Sequence, residues 1–134
     1  MITNITPYLH FENCEEALNF YVKALGGEIK SLMRMSDGPQ EYQTPENKNQ
    51  VMHSELVIGK NIINASDAMG YDISAGKNIS LTLHFDNVSD CEKAWANMKD
   101  GGVVTMELQE MFWAHRYGQL KDKYNINWMF NCAK

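Results

Sequence analysis

Four histidines are the side chains of this 134-residue chain best suited to move a proton or hold a metal. His53 and Glu55 lie two apart, which on a strand puts them on one face, as metal ligands, as an acid/base pair, or as a solvent-side or interface pair. His10 and His84 sit in matching pentapeptides, Leu9-His10-Phe11-Glu12-Asn13 and Leu83-His84-Phe85-Asp86-Asn87. They could form a relocated metal or acid/base pair, or be hydrogen-bonded histidines at strand ends. Asp67 closes a strand and can bind a ligand or accept from a turn. Trp113, His115, Arg116, Tyr117 and Trp128 combine aromatic walls with one guanidinium. That set suits a planar or anionic ligand, or else packs a hairpin. No Ser-His-Asp order, phosphate loop or dinucleotide fingerprint is visible.

The elements that position these residues follow from the repeat. Each pentapeptide leads into a helical run that ends in Gly-Gly, at Gly26-Gly27 and again at Gly101-Gly102. Two copies of one unit in so short a chain predict a two-module architecture. Residues 5–11 alternate apolar and polar as a strand, and Pro7, lacking an N–H, predicts an edge position. Asn13 with Glu16 predicts a capped helix whose stripe runs Ala17, Leu18, Phe20, Tyr21, Ala24, Leu25. Strands are expected over 28–35, 51–59 and 62–67, the last two as a hairpin turning at Lys60-Asn61. The polar segment 36–50, with Gly38, Pro39 and Pro45, reads as a long loop, either a lid or disordered.

A linker over 68–77 joins the halves, and the pattern restarts at 79–85. Ser89 with Glu92 predicts the second cap, and Cys91, Ala94, Trp95 and Met98 the second apolar stripe. Strands are expected over 103–106, 113–121 and 126–132, the last two joined by a turn at 122–125. The fold class is α+β: two βαβββ modules, about 1–72 and 77–134 of a single domain, forming a cupped mixed sheet with the helices outside. Alternation sends Leu9, Phe11, Leu81, Leu83 and Phe85 to the helices. It sends Thr6, Tyr8, His10, Ser80, Thr82 and His84 to the concave face, a polar lining suited to a small molecule.

Composition narrows the partners. A net charge of −5 argues against nucleic acid, which needs a basic patch. No apolar run reaches the roughly 18 residues of a membrane span, and no basic-then-apolar leader opens the chain. Three widely spaced cysteines, Cys14, Cys91 and Cys132, read as free thiols of a reducing cytoplasm. A helix N-terminus could activate Cys14 or Cys91, but small packing residues are the commoner case.

The doubled βαβββ pattern resembles the vicinal oxygen chelate superfamily of glyoxalase I, bleomycin-resistance proteins and extradiol dioxygenases. Several stretches resemble its PhnB-like branch, also labelled 3-demethylubiquinone-9 3-methyltransferase-like: residues 7–11, 17–21, Met52-His53-Ser54-Glu55-Leu56, Ala65-Ser66-Asp67, 109–113 and 118–128. No Gly-rich strand-to-helix turn for a methyl donor accompanies that label. The resemblance implies homodimers and a divalent metal held by His and Glu near the start of each half's first strand and on each half's last strand. By register those positions fall on Thr6, Asn64, approximately Ser80 and Trp128, none of them a strong ligand.

The expected function is therefore metal-independent binding of a small aromatic or anionic molecule, with no cofactor. The candidate residues are Tyr8, His10, His53, Glu55, Asn64, Asp67, Thr82, His84, Trp113, Arg116 and Trp128. The alternatives are a metal-dependent lyase, isomerase or dioxygenase with a rearranged ligand set drawn from His10, His53, Glu55 and His84, or a structural dimer with a collapsed cavity.

Overall fold

Asn13 and Asn87, the last residues of the two repeated pentapeptides, start the two helices. In the computed structural model, which describes residues 1–74 and 76–134, the Asn13 side chain accepts from the Glu16 amide at 3.2 Å and the Asn87 side chain from the Asp90 amide at 2.8 Å. The second cap is thus Asn87 rather than Ser89, which lies inside the helix. An asparagine carbonyl one residue ahead of the first turn satisfies an otherwise orphaned amide, so the repeat itself carries the capping signal. Helix α1 spans Cys14–Leu25 and ends where Gly26 takes φ 73° and donates to the Val22 carbonyl. Helix α2 spans Val88–Met98.

The chain divides into two compact units, Met1–Ile73 and Ser74–Lys134. The first holds β1 (Tyr8–Phe11), α1, β2 (Glu28–Arg34), β3 (Val51–Ile58) and β4 (Asn61–Asp67). Its four strands lie in the order β1-β4-β3-β2, with β1 parallel to β4 and the other pairs antiparallel. The second holds β5 (Leu81–Phe85), α2, β6 (Val103–Met111), β7 (Ala114–Lys121) and β8 (Asn127–Ala133), in the order β5-β8-β7-β6 with β5 parallel to β8. The two sheets have one topology, as the repeat predicts. Strand β1 is an edge of its sheet and begins after Pro7, whose carbonyl accepts from the Asn64 amide at 2.9 Å. The β3–β4 turn is Gly59-Lys60, one residue earlier than expected, with Gly59 at φ 60°. Strand β6 runs on to Met111, well beyond the expected four residues. Position 75, within the linker read over 68–77, lies outside the described residues.

Each helix packs on one face of its own sheet. In the first unit Phe11 meets Tyr21 with ring centroids 6.1 Å apart, and Ala17, Leu18, Ser54, Leu56 and Ala65 are buried with them. In the second, Trp95 meets Phe130 edge-on at 5.1 Å above buried Trp128 and Leu120. Gly118 on β7 sits under that indole: a Cβ there would lie 2.8 Å from two ring carbons of Trp95 and 3.0 Å from the Leu108 Cα. Gly118→Ala is therefore expected to cost about 1–3 kcal/mol through overpacking, read as a lower urea midpoint at unchanged slope.

The cysteines are packing residues. All three are free and buried. Burial pushes the Cys14 thiol from the ordinary 9.0 up to about 12, against the lowering effect of the Ser54 hydroxyl, with Asp67 and Glu15 adding to the rise. Burial likewise lifts Cys91 to about 11, with Cys132 and Glu92 adding to the rise. These thiols are not helix-activated nucleophiles. Between pH 9 and 12 the folded state keeps the Cys14 proton that the unfolded chain releases. The stabilisation is complete below pH 9 and is lost as pH climbs toward 12. Wild type should therefore lose stability over that range more steeply than Cys14→Ala, by up to about 1 kcal/mol per pH unit, in paired urea melts at pH 8, 9.5 and 11.

Segment 36–50 folds on itself as a loop with its own frame. Short 3-10 turns occupy Met35–Asp37 and Gln40–Tyr42. The Gln43 amide donates to the Gly38 carbonyl at 2.9 Å, and Thr44 and Asn47 bond each other reciprocally. At its base Arg34 grips Glu15 of α1 through two bonds of 3.1 and 2.8 Å and donates to the Asn49 carbonyl at 3.0 Å.

Candidate functional site

Alternation assigns strand residues to the helix side or the opposite face, and exposure alternates accordingly along β1, β5 and β8, whereas β2 and β6 are interrupted by register shifts. On the face of the first sheet turned away from α1, register aligns Tyr8 with Asn64, Asn64 with Glu55, and Glu55 with Ser31. The next row on that face aligns His10 with Ser66 and His53 with Met33. Pairwise spacing across strands is about 5 Å, close enough for these side chains to meet.

They do meet, through a hydrogen-bonded aromatic array. The Tyr8 hydroxyl lies 3.0 Å from His53 Nδ1. The Tyr71 hydroxyl lies 2.9 Å from His10 Nδ1, with the Ser66 hydroxyl 3.3 Å away. The Tyr8 ring stacks on His10 at 4.9 Å and 24°, and tilts against His53 at 5.6 Å. Tyr71 meets His10 edge-on at 5.9 Å. Glu55 is held by a 3.0 Å bond from the Ser31 hydroxyl. The covered Oδ1 of Asn64, between Tyr8 and Glu55 in register, has no hydrogen-bond partner. An orphaned carbonyl of that kind costs about 1–3 kcal/mol, a cost that rotation toward an incoming donor would remove.

The corresponding face of the second sheet is less connected. Thr82 pairs in register with Met129 and donates to its sulfur at 3.7 Å. His84 is exposed and pairs with Asn131, whose Oδ1 is also covered and unpartnered. Asn131 in turn pairs with Tyr117, whose hydroxyl accepts from the Gln119 amide at 3.0 Å. Trp113 stands at the β6–β7 turn, edge-on to Tyr117 at 5.4 Å and to Phe112 at 4.8 Å. Phe112 is 88% exposed.

Three expected lining residues are placed elsewhere. Trp128 is buried on the α2 side with Phe130 and Cys132, and its indole N–H donates to Asp122 at 2.7 Å. Alternation along β8 leaves Asn127, Met129 and Asn131 for the opposite face. Arg116 pairs in register with Cys132 on that same α2 side and binds Glu92 of α2 at 3.0 Å. Asp67 is buried and accepts from the Cys14 amide at 2.8 Å and the Val51 amide at 2.6 Å, tying α1 and β3 to β4. It is framework. Thr6 and Ser80, onto which the register placed the superfamily's ligand positions, precede their strands, and the repeat equates Asn64 with Met129 rather than with Trp128.

Tyr8, His10, His53 and Glu55 are thus brought together, with Asn64 among them. Tyr71, Ser66 and Ser31 were missed. Ser66 and Ser31 follow from alternation once the strands are known. Tyr71 comes from the linker, where no periodicity marks it.

Comparison with known proteins gives this arrangement its relatives. Residues 3–130 match the family described as 3-demethylubiquinone-9 3-methyltransferase. The chain is 29% identical to Protein YjdN of Escherichia coli, over 97% of this chain and 95% of that one. It is 33% identical to the solved protein PA1353 of Pseudomonas aeruginosa, with a TM-score of 0.87 and 98% of each chain covered. The fold also matches a glyoxylase/bleomycin resistance protein/dioxygenase domain from Frankia at 13% identity, with a TM-score of 0.73 over 100% of this chain and 94% of that one. With a family match over nearly its full length, the chain belongs to the 3-demethylubiquinone-9 3-methyltransferase family, and its fold is that of a glyoxylase/bleomycin resistance protein/dioxygenase domain.

Proposed function

We propose that this protein binds a small aromatic or anionic molecule without a metal, on the faces of its sheets turned away from the helices. The observation that carries the reading is the paired tyrosine–histidine array, Tyr8 on His53 and Tyr71 on His10. Those four rings offer flat surfaces for stacking together with ring nitrogens for polar recognition.

The donor chemistry supports the metal-free part. The positions that the resemblance assigns to metal ligands carry a hydroxyl at Thr6, an amide at Asn64, a hydroxyl at Ser80 and an indole at Trp128, and the paired strand residues Tyr8–Asn64 and Thr82–Met129 add only a phenol, a second hydroxyl and a thioether. Such groups do not fit a divalent ion that wants imidazole or carboxylate oxygen. Among the described residues, no three His, Cys, Asp or Glu side chains converge as a metal site. The sequence carries no Gly-rich strand-to-helix turn suited to a methyl donor, so the reading does not extend to methyl transfer.

The test is a thermal-shift screen of planar acids, run in EDTA and again with Zn, Ni, Mn or Fe. Under this reading at least one compound raises Tm equally in both, by several degrees at about 100 times its Kd. Stabilisation that disappears in EDTA and returns with metal would turn the site over to metal-dependent chemistry drawn from His10, His53, Glu55 and His84.

We further propose a homodimer in the cytoplasm. The exposed Phe112 and Trp113 at the β6–β7 turn offer apolar surface for a second copy, and the free buried cysteines suit a reducing compartment. Among the described residues, no helix is long and apolar enough to cross a membrane. Light scattering on the purified chain reads the oligomeric state directly.

A further inference from the structure

We infer that the first sheet's array selects a small zwitterion, its oxyanion held by His10 and His53 and its ammonium by Glu55 and Asn64. This rests on the binding reading above and gives it a ligand class.

The donor half follows from the tyrosines. Each phenol has one proton to place, and among the described residues the hydrogen-bond partners of the Tyr8 and Tyr71 hydroxyls are His53 Nδ1 and His10 Nδ1. A phenol donates more readily than it accepts, since its oxygen lone pairs are partly drawn into the ring. Donation by both tyrosines makes both Nδ1 atoms acceptors and leaves the ring proton on Nε2; at His10 the 2.9 Å phenol contact outweighs the longer 3.3 Å contact to Ser66, whose hydroxyl donates to the Asp67 carbonyl at 3.2 Å. Neither Nε2 has a protein partner among the described residues. In that tautomer the array offers two ring N–H donors from histidines on one sheet face, a donor set that suits an oxyanion.

The acceptor half lies in the adjoining row. Glu55 is held in place by Ser31, and Asn64, its register partner, has an unpartnered carbonyl oxygen. A carboxylate beside an unpaired amide oxygen matches an ammonium, whose N–H groups are all donors. Residues two apart on a strand are about 7 Å apart. That spacing suits a molecule whose ammonium and oxyanion are separated by a two- or three-atom linker.

The test uses β-alanine, taurine and phosphoethanolamine as probes, against propionate, ethanesulfonate, ethyl phosphate and ethylamine, each of which lacks one charge. Calorimetric titration of the wild-type chain should show at least one zwitterion binding roughly tenfold or more tighter than either of its single-charge counterparts. Glu55→Gln should erase that advantage while leaving the counterpart anion's affinity unchanged. Long-range proton–nitrogen NMR of the imidazoles should place the proton of His10 and His53 on Nε2. It should show redistribution at His53 in Tyr8→Phe and at His10 in Tyr71→Phe, two substitutions that keep the ring packing.

Zwitterions that bind no tighter than their halves, or rings protonated on Nδ1 in the wild type, overturn the inference. If planar acids from the thermal-shift screen bind while the zwitterions do not, the inference falls and the binding reading stands. If nothing in either series binds, both fall.

Discussion

Asp67→Ala is expected to destabilise the protein by about 3–5 kcal/mol, which for a domain of this size removes a large share of its stability. The carboxylate is buried, one oxygen taking the Cys14 amide at the start of α1 and the other the Val51 amide at the start of β3. Truncation leaves both amides without an acceptor in a place water does not reach, so the full desolvation cost appears rather than the net value of two bonds. Asp67→Asn should cost less, because its carbonyl still serves one amide, although its NH2 then faces the other. Chemical denaturation should rank wild type above Asn above Ala. An Ala variant within 1 kcal/mol of wild type would show that the segments Asp67 joins are held by other contacts.

The same residue shows what the sequence can and cannot say. That Asp67 ends a strand is visible from Ile62 onward, and acceptance from a nearby turn was the ordinary expectation. Its true partners come from α1 and β3, distant in sequence, and only the folded chain reveals that they converge. The helices were legible because apolar spacing and asparagine caps are local signals. The second cap was misread at Ser89 because a Ser-x-x-Glu box resembles a start, whereas the repeat already placed Asn87 where Asn13 caps the first helix.

The candidate site was half legible. Tyr8 and His10 followed from strand alternation, and His53 and Glu55 from their spacing of two. The partner that completes the array, Tyr71, sits in a linker with no period to place it. Arg116 and Trp128 were drawn toward the pocket by their chemistry, yet alternation along β7 and β8 turns them to the helix side with Cys132 and Phe130. Residue type suggested a ligand there, and strand parity decided otherwise. The long loop gives a third case. Its composition correctly marked a loop, but the Arg34–Glu15 clamp that anchors it joins residues far apart in sequence.

Trp128 leads to the second large expected effect. Asp122→Ala should cost about 2–4 kcal/mol and should do so partly through the indole. Asp122 is buried, its Oδ1 accepting from the Tyr124 and Ile126 amides at 2.8 and 3.1 Å and its Oδ2 from Trp128 Nε1 at 2.7 Å. One carboxylate thus closes the β7–β8 turn, where Asn125 takes φ 70°, and anchors a tryptophan beneath α2. The two turn amides lie near the surface, where water can replace the lost acceptor. The indole N–H is buried, where water does not readily replace the lost carboxylate, so much of the cost should depend on its presence. Trp128→Phe removes that N–H and leaves a smaller ring, at the expense of a cavity. The double variant Asp122→Ala/Trp128→Phe should therefore be less destabilised than the sum of its singles, by about 1–2 kcal/mol in a double-mutant cycle. Strict additivity would mean that the carboxylate acts on the turn alone, and that Trp128 is held on the helix side by packing without help from its hydrogen bond.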